Sequence, residues 1–164
     1  MPNILAQQLG KDLLAHGMTL VTAESCTGGG VAQAVTDIAG SSAWFERGFV
    51  TYANVAKVEM LGVRQSTLEA HGAVSEITVR EMVLGALGHS AAHIALAVSG
   101  IAGPGGGSAT KPVGTVWFAW ATRDGRVQVR LHQLSGDRSQ IRAQAVQISL
   151  QGALEVLNSS PVLA

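Results

Sequence analysis

Two hydroxyl side chains and three glycines stand directly after the first apolar run of the chain. Residues 23–30 read AESCTGGG, in which Ser25 and Thr27 are followed by Gly28 and Gly29. At the start of a helix, free backbone N–H groups and the positive end of the helix dipole favour an oxyanion or a phosphate. We therefore interpret the segment as a catalytic or binding loop. The alternative is that Ser25 or Thr27 only caps the helix, and no Walker or dinucleotide-binding pattern is present to decide between the two.

A lysine stands on a predicted helix face that is otherwise apolar. Lys57 shares this face with Met60 and Leu61. Burial disfavours the charged form of lysine, and a lysine whose pKa falls to about 7.5 can act as a general base. The alternative, which spacing alone favours, is a lysine whose alkyl chain covers apolar neighbours while its ammonium group reaches water.

A second glycine-rich segment, residues 99–107, reads SGIAGPGGG and lies between two predicted strands. Its Ser99, Gly100 and Gly103 would present a hydroxyl and bare backbone amides to a ligand. A flexible surface loop is the alternative, although the prolines at 104 and 112 stiffen the segment more than a plain linker requires.

Two arginines one helical turn apart could bind an anion. Arg138 and Arg142 are spaced i, i+4, so both guanidinium groups could face one phosphate or carboxylate. The alternative, which the spacing supports equally well, is that both arginines are solvated on the surface and bind no ligand.

Metal and thiol chemistry are not expected. The five histidines show no HExxH pattern, so we predict no metal site. Cys26 has no histidine near it in the sequence, which favours a small buried thiol over a nucleophile.

Alternating helices and strands must position these segments. Apolar and β-branched runs predict strands at 18–23, 45–52, 94–99, 115–122 and 126–134, the last two joined as a hairpin at 124–125. Gly48 is a candidate bulge in the second strand. Helical periodicity and capping residues predict helices at 3–17, 27–37, 54–62, 75–87 and 141–157. We thus predict a single α/β domain, residues 1–164, with a three-layer α/β/α architecture around a central mixed sheet.

Composition narrows the class of protein. The chain has 164 residues, of which 47% are apolar and 13% charged, and eleven Lys and Arg balance eleven Asp and Glu. Such a chain can bury one substantial core and is not disordered. The balanced charge argues against a nucleic-acid partner, and no apolar run approaches the roughly 18 residues of a membrane span. Residues 1–20 do not read as a signal peptide, and a single cysteine fits the reducing cytoplasm.

Taken together, these segments resemble the CinA C-terminal domain family, the nicotinamide-nucleotide amidohydrolases. The matching stretches cover the chain in order: LVTAESCTGG at 20–29, GSS at 40–42, VTYANVAK at 50–57, LGV at 61–63, GAVSE at 72–76, VSGIAGPGGG at 98–107, KPVGTV at 111–116 and GDR at 136–138. Ser99 stands where the family usually has threonine. Arg47 replaces a common glycine and Ala53 a common serine, and both changes could alter substrate fit or assembly.

The resemblance implies hydrolysis of the carboxamide of nicotinamide mononucleotide to nicotinate mononucleotide and ammonia, without metal or cofactor, as part of pyridine nucleotide recycling. It also implies a serine–lysine mechanism, and it assigns the hydroxyl and lysine positions of the site to Ser25, Ser42, Tyr52 and Lys57. The segments found from the residues themselves contain Ser25 and Lys57, and the stretch from Gly40 to Lys57 also contains Ser42 and Tyr52. None of these segments contains a triad histidine.

The two serines are not equivalent in the predicted fold. If the second strand is straight, its ends lie about 26 Å apart, so Ser42 before it and Lys57 after it cannot touch within one chain. A right-handed crossover makes the first two strands parallel, which places Ser25 on the same side as Lys57. Ser42 could join them only through a sharp bend at Gly48 or from a neighbouring subunit. We keep both serines as candidates for the nucleophile.

A homo-oligomer, at least a dimer, is expected with its interface near the site. The low content of charged residues favours such an interface, although a monomer whose surface is rich in Gln, Ser, Thr and Ala would have the same composition. Two other functions stay open. One is a nucleotide-binding or sensing domain that does not turn its ligand over. The other is an esterase or peptidase that uses the same serine–lysine chemistry, although no segment resembles an acyl or peptide groove.

Overall fold

The computed structural model describes residues 2–159, which form helices and strands in mixed order along the chain. The strands are β1 (Leu20–Glu24), β2 (Phe45–Val50), β3 (Ile94–Gly100), β4 (Thr115–Thr122) and β5 (Val127–Gln133). The helices are α1 (Pro2–His16), α2 (Gly30–Thr36), α3 (Asn54–Leu61), α4 (Gln65–His71), α5 (Glu76–Gly88) and α6 (Arg138–Asn158), and a 3₁₀ turn (Ser41–Ala43) precedes β2.

One five-stranded sheet runs in the order β2-β1-β3-β4-β5. β1 is parallel to both β2 and β3, whereas β4 is antiparallel to β3 and β5 is antiparallel to β4. The predicted mixed sheet and the predicted terminal hairpin are therefore confirmed. The first residue and the last five of the expected 1–164 domain lie outside the described residues.

Apolar side chains on the two faces of the sheet form two cores, which completes the three-layer architecture. One face packs against α1, α2 and α6, and its core includes Leu9, Val31, Leu96, Phe118 and Leu150. The other face packs against α5, and apolar residues of α3 and α4 join this second core. Because successive strand residues point to opposite faces and both faces are covered, β1 and β3 are buried along nearly their whole length.

The second strand differs from the prediction at two points. It ends at Val50 rather than at residue 52, and its irregularity lies at Glu46 and not at Gly48, since Phe45 and Arg47 pair with consecutive residues of β1. Gly48 is in register opposite Thr22, and a Cβ atom there would lie 2.7 Å from the Thr22 hydroxyl oxygen. Glycine is therefore required at this position because the Thr22 side chain lies close to the backbone of residue 48. The sharp bend considered for this strand is absent.

Two helical segments also differ from the prediction. α2 begins at Gly30 and not at residue 27, because Gly28 and Gly29 have positive φ angles and form a turn ahead of the helix. α4 was not predicted, since only Thr67 and Leu68 of its seven residues are buried and no apolar period marks it. None of the described helices is both long enough and apolar enough to cross a bilayer.

Candidate active site

A lysine amine and a serine hydroxyl meet at the carboxyl end of the parallel strands. Ser25 directly follows β1, and Lys57 lies in the first turns of α3, which follows β2. Since β1 and β2 are parallel neighbours, their carboxyl ends share one edge of the sheet. The Lys57 Nζ atom lies 2.9 Å from the Ser25 Oγ atom. Lys57 is completely buried, and Ser25 is 7% exposed.

Backbone carbonyls complete the surroundings of the lysine amine. Lys57 Nζ donates hydrogen bonds to the carbonyl oxygens of Thr51 at 2.7 Å and Tyr52 at 3.0 Å. These carbonyls belong to the turn between β2 and α3, which folds back over the start of the helix. Burial lowers the pKa of Lys57 to about 8, although the nearby Cys26 thiol acts weakly in the opposite direction.

This arrangement of acceptors suits both protonation states of the amine. An ammonium group has three N–H donors, one for each carbonyl and one for Ser25. A neutral amine has two N–H donors, which the carbonyls of Thr51 and Tyr52 can accept, so its lone pair is left for the hydroxyl hydrogen of Ser25. Lys57 can therefore take the proton from Ser25 without rearrangement, which is the requirement for a general base.

The loop that carries Ser25 is organised by a glutamate that the sequence analysis did not single out. Glu24 is fully buried, and its carboxylate accepts the Thr27 hydroxyl at 2.6 Å and the backbone N–H groups of Val31 at 2.8 Å and Ala32 at 3.0 Å. These amides belong to the start of α2, where the sequence predicted an anion site. The chain's own carboxylate occupies them, and the Thr27 hydroxyl is occupied as well. The available signal was a charged residue at the end of a short strand that is otherwise free of charge.

The two arginines of α6 have different environments. Arg142 donates from Nε to the Cys26 carbonyl at 3.0 Å and from Nη2 to the Thr27 carbonyl at 3.1 Å, so it contacts the backbone of the Ser25 loop. Arg138 is exposed, and it donates to the Gly103 carbonyl at 2.7 Å and to the Tyr52 hydroxyl at 3.2 Å.

The Tyr52 side chain lies on the surface of the site and not beside the lysine. Tyr52 is 61% exposed and its hydroxyl accepts a hydrogen bond from Arg138, whereas its backbone carbonyl contacts Lys57. The part of Tyr52 that the structure brings to Lys57 is therefore its carbonyl oxygen.

Ser42 lies away from the pair within one chain. It belongs to the 3₁₀ turn before β2 and is exposed, at the end of the strand opposite to Lys57. Because β2 runs on in parallel register with β1 and shows no sharp bend, a contact between Ser42 and Lys57 in the same chain is excluded. A contribution from a neighbouring subunit stays a prediction.

The second glycine-rich segment is held mainly by contacts within the fold, and its backbone meets Arg138. The Ser99 hydroxyl is buried and donates to the Ala73 carbonyl at 2.8 Å, so it holds the segment before α5. Gly100 packs so closely on Val116 that a Cβ atom would lie 2.6 Å from its side chain. Gly103 supplies the carbonyl that Arg138 contacts.

The Cys26 thiol does not resemble a nucleophile. It is 7% exposed, and burial raises its pKa to about 11. A thiol in this state is protonated at neutral pH, as expected for a buried cysteine. Among residues 2–159, no cluster of three or more His, Cys, Asp or Glu side chains could hold a metal ion.

Comparison with known proteins agrees with this arrangement of segments. A family model described as the CinA C-terminal domain matches residues 3–157. The chain is 61% identical over 150 residues to the nicotinamide-nucleotide amidohydrolase PncC of Enterobacter agglomerans, which covers 92% of each protein. It is 60% identical over 147 residues to the PncC of Escherichia coli K12, over 90% of this chain and 89% of that protein.

A solved structure shows the same fold. The crystal structure of the competence/damage inducible protein CihA from Agrobacterium tumefaciens matches this chain with a TM-score of 0.93 and 48% identity, over 96% of each chain. The fold and the sequence motifs therefore lead to one family, as the resemblance of the segments implied. The chain belongs to the CinA C-terminal domain family.

Proposed function

We propose that this protein hydrolyses the carboxamide of nicotinamide mononucleotide to nicotinate mononucleotide and ammonia, with Ser25 as nucleophile and Lys57 as general base. The observation that carries the proposal is the buried contact of 2.9 Å between Lys57 Nζ and Ser25 Oγ. Relatives at 60–61% identity that carry the name nicotinamide-nucleotide amidohydrolase support the choice of substrate.

The reaction begins with a proton transfer within the pair. Neutral Lys57 accepts the Ser25 proton as Oγ attacks the carboxamide carbon, which gives a tetrahedral oxyanion. Lys57 then returns the proton to the amide nitrogen, ammonia leaves, and Ser25 carries the nicotinoyl group as an ester. A water molecule, deprotonated by Lys57, hydrolyses this ester and restores both side chains. Each step uses only the chain's own residues and water.

The nucleotide phosphate is proposed to bind at Arg138. This side chain is exposed, carries a permanent positive charge and lies between Gly103 and Tyr52 at the mouth of the site. Of the amides of the two glycine-rich segments, the Gly29 N–H would contribute a further donor. The Gly28 N–H already donates to the Ser25 carbonyl at 3.0 Å, and the Gly100 N–H contacts the Cys26 thiol. Arg142 is a weaker candidate for this role, since two of its nitrogen atoms already contact backbone carbonyls.

A homodimer formed through β2 is proposed as the functional assembly. β2 is an edge strand whose outer backbone groups have no partner strand among the described residues. Exposed apolar side chains surround its carboxyl end and α3: Val50, Tyr52, Val55 and Met60. Edge strands with such surroundings readily pair with a second chain.

The geometry of a twofold axis connects this interface with Ser42. Antiparallel pairing of β2 with its symmetry mate brings the amino end of one strand beside the carboxyl end of the other. Ser42 precedes β2, so the partner's copy would approach the segment between Tyr52 and Lys57. This pairing is the arrangement in which Ser42 could take part in catalysis.

The test is an assay of ammonia release from nicotinamide mononucleotide, nicotinamide riboside and nicotinamide, with wild type, Ser25→Ala and Lys57→Arg. We expect turnover of the mononucleotide above all and loss of turnover in both variants. Binding of the mononucleotide by wild type without ammonia release would overturn the proposal in favour of a sensing domain. Turnover of esters or peptides in preference to all three amides would favour an esterase or peptidase function. A cytoplasmic location stays a prediction from the sequence.

A further inference from the structure

Two oppositely charged side chains contact the loop that carries Ser25. The carboxylate of Glu24 accepts hydrogen bonds from the Thr27 hydroxyl and the Val31 N–H, and the guanidinium of Arg142 donates to two carbonyls of the loop. Glu24 directly precedes Ser25 in the sequence, whereas Arg142 comes from α6, 116 residues after Cys26.

The Glu24 carboxylate is fully committed to the loop and to α2. Both oxygens accept hydrogen bonds: Oε1 from the Thr27 hydroxyl and the Val31 N–H, and Oε2 from the Ala32 N–H. Three donors and a helix start stabilise a buried carboxylate that would otherwise be costly. The position of Thr27 relative to α2 is thereby fixed.

The Arg142 guanidinium fixes the orientation of two successive peptide groups. Its Nε and Nη2 atoms donate to the Cys26 and Thr27 carbonyls at 3.0 and 3.1 Å. In a trans peptide the C=O and N–H bonds point in opposite directions. The Thr27 N–H, which shares a peptide group with the Cys26 carbonyl, therefore points away from Arg142, and no described residue accepts its hydrogen bond.

We propose that Glu24 and Arg142 are positioning residues that hold the Ser25 loop in its reactive geometry and keep the Thr27 N–H available to the oxyanion. This inference rests on the proposed function and adds to it a role for two side chains that do not touch the reacting amide. It also separates Arg142 from Arg138, one helical turn away, which faces the phosphate. Arg142 acts on the rate of the chemical step, and Arg138 acts on binding.

The experiment compares steady-state kinetics with the binding of pyridine-3-boronic acid. The boron atom of this small probe accepts the Ser25 oxygen and becomes tetrahedral, as the amide carbon does in the reaction intermediate. The probe has no ribose or phosphate. The variants are Glu24→Gln, Thr27→Val, Thr27→Ser, Arg142→Lys and Arg138→Ala. Arg80→Ala is the control for the loss of an arginine from a helix, since Arg80 lies on α5 in an exposed ion pair with Glu76.

We expect Glu24→Gln, Thr27→Val and Arg142→Lys to lower kcat about 10- to 100-fold, as small displacements of catalytic groups do. Their KM for the mononucleotide should change less than about twofold, and their boronate affinity should fall in parallel with kcat/KM. Thr27→Ser keeps the hydroxyl donor and should restore most of the activity. Arg138→Ala should raise KM and leave boronate affinity unchanged, and Arg80→Ala should change neither.

Three outcomes would overturn the inference. One is an Arg142→Lys variant with raised KM and unchanged kcat, which would make Arg142 a phosphate ligand. A second is boronate affinity equal to wild type in folded Glu24→Gln and Arg142→Lys. A third is equal loss in Thr27→Ser and Thr27→Val. If Glu24→Gln fails to fold, Thr27→Val and Arg142→Lys still decide the matter.

The boronate measurement also separates this inference from the proposed function. Wild-type protein that binds the boronate at Ser25 but releases no ammonia from nicotinamide mononucleotide would refute the proposed substrate. The effect of the same variants on boronate affinity would still test the roles of Glu24 and Arg142.

Discussion

The Lys57 amine reaches the Ser25 hydroxyl across 32 residues of sequence, and both groups are almost entirely removed from solvent. The same amine contacts two backbone carbonyls and no carboxylate. A lysine in such surroundings lacks the negative charge that would hold its proton, so desolvation determines its pKa. The pair is therefore ready for proton transfer near neutral pH.

The pH dependence of the rate should report Lys57. Since the neutral amine is the active form, kcat/KM should rise with pH about tenfold per unit below pH 8 and level off above it. Lys57→Arg keeps the positive charge but cannot release a proton in this range, so it should lose activity at every pH. A pH profile without an inflection near 8, or an active Lys57→Arg variant, would contradict the assignment.

The stability of the protein should depend on the same group. The unfolded chain holds the Lys57 proton up to a pKa near 10.5, whereas the folded protein releases it near 8. Between these values the unfolded state binds more protons, so the free energy of unfolding should rise with pH, by up to about 3 kcal/mol from this group. Below pH 8 both states are protonated and the contribution is constant. Denaturant unfolding of wild type and Lys57→Met from pH 7 to 10 measures the difference, which should grow with pH in favour of wild type.

Loss of Arg138 should affect only substrates that carry a phosphate. Removing a charged hydrogen bond to the phosphate should raise KM for nicotinamide mononucleotide about 10- to 100-fold. KM for nicotinamide riboside, which lacks the phosphate, should stay within about twofold of wild type. Equal effects on the two substrates would place the phosphate elsewhere. Arg64→Ala is a suitable control, because this exposed arginine pairs with Glu81 on the other face of the molecule.

The proposed dimer can be tested by mixing inactive variants. Light scattering should give twice the monomer mass, and a monomer at working concentration would exclude the assembly. If Ser42 acts across the interface, mixed Ser42→Ala and Lys57→Ala chains form hybrids with one intact site of two. Half of the dimers in an equal mixture are hybrids, so about a quarter of wild-type activity should return. A dimer whose mixtures stay inactive would argue against sharing and leave Ser25 as the nucleophile without help from Ser42.

Two buried threonines should respond oppositely to the same substitution. The Thr22 hydroxyl is buried and has no hydrogen-bond partner among the described residues, so Thr22→Val should stabilise the protein by about 1 kcal/mol. The Thr78 hydroxyl donates to the Gly72 carbonyl at 2.7 Å, so Thr78→Val should destabilise it by about 1–3 kcal/mol. Thermal and denaturant unfolding measure both, and a loss of stability in Thr22→Val would show that its hydroxyl has a partner.

The amino-acid sequence by itself determined the architecture and the placement of Ser25 near Lys57. Apolar runs and glycine turns predicted the strands and all helices except α4, because burial on a sheet face or helix face leaves a period in the sequence. A helical crossover between β1 and β2 predicts that the two strands are parallel. That relation alone placed Ser25 and Lys57 at one sheet edge and separated Ser42 from both.

The tertiary structure alone decided what each polar group contacts. Arg138 and Arg142 look equivalent in sequence, yet one faces solvent beside Tyr52 and the other contacts the carbonyls of Cys26 and Thr27. Tyr52 brings its carbonyl and not its hydroxyl to Lys57. Such partners are separated by up to 116 residues, and a difference of a few ångströms in packing decides whether a hydrogen bond forms. Periodic patterns record which face of an element is buried, but they carry no information on those distances.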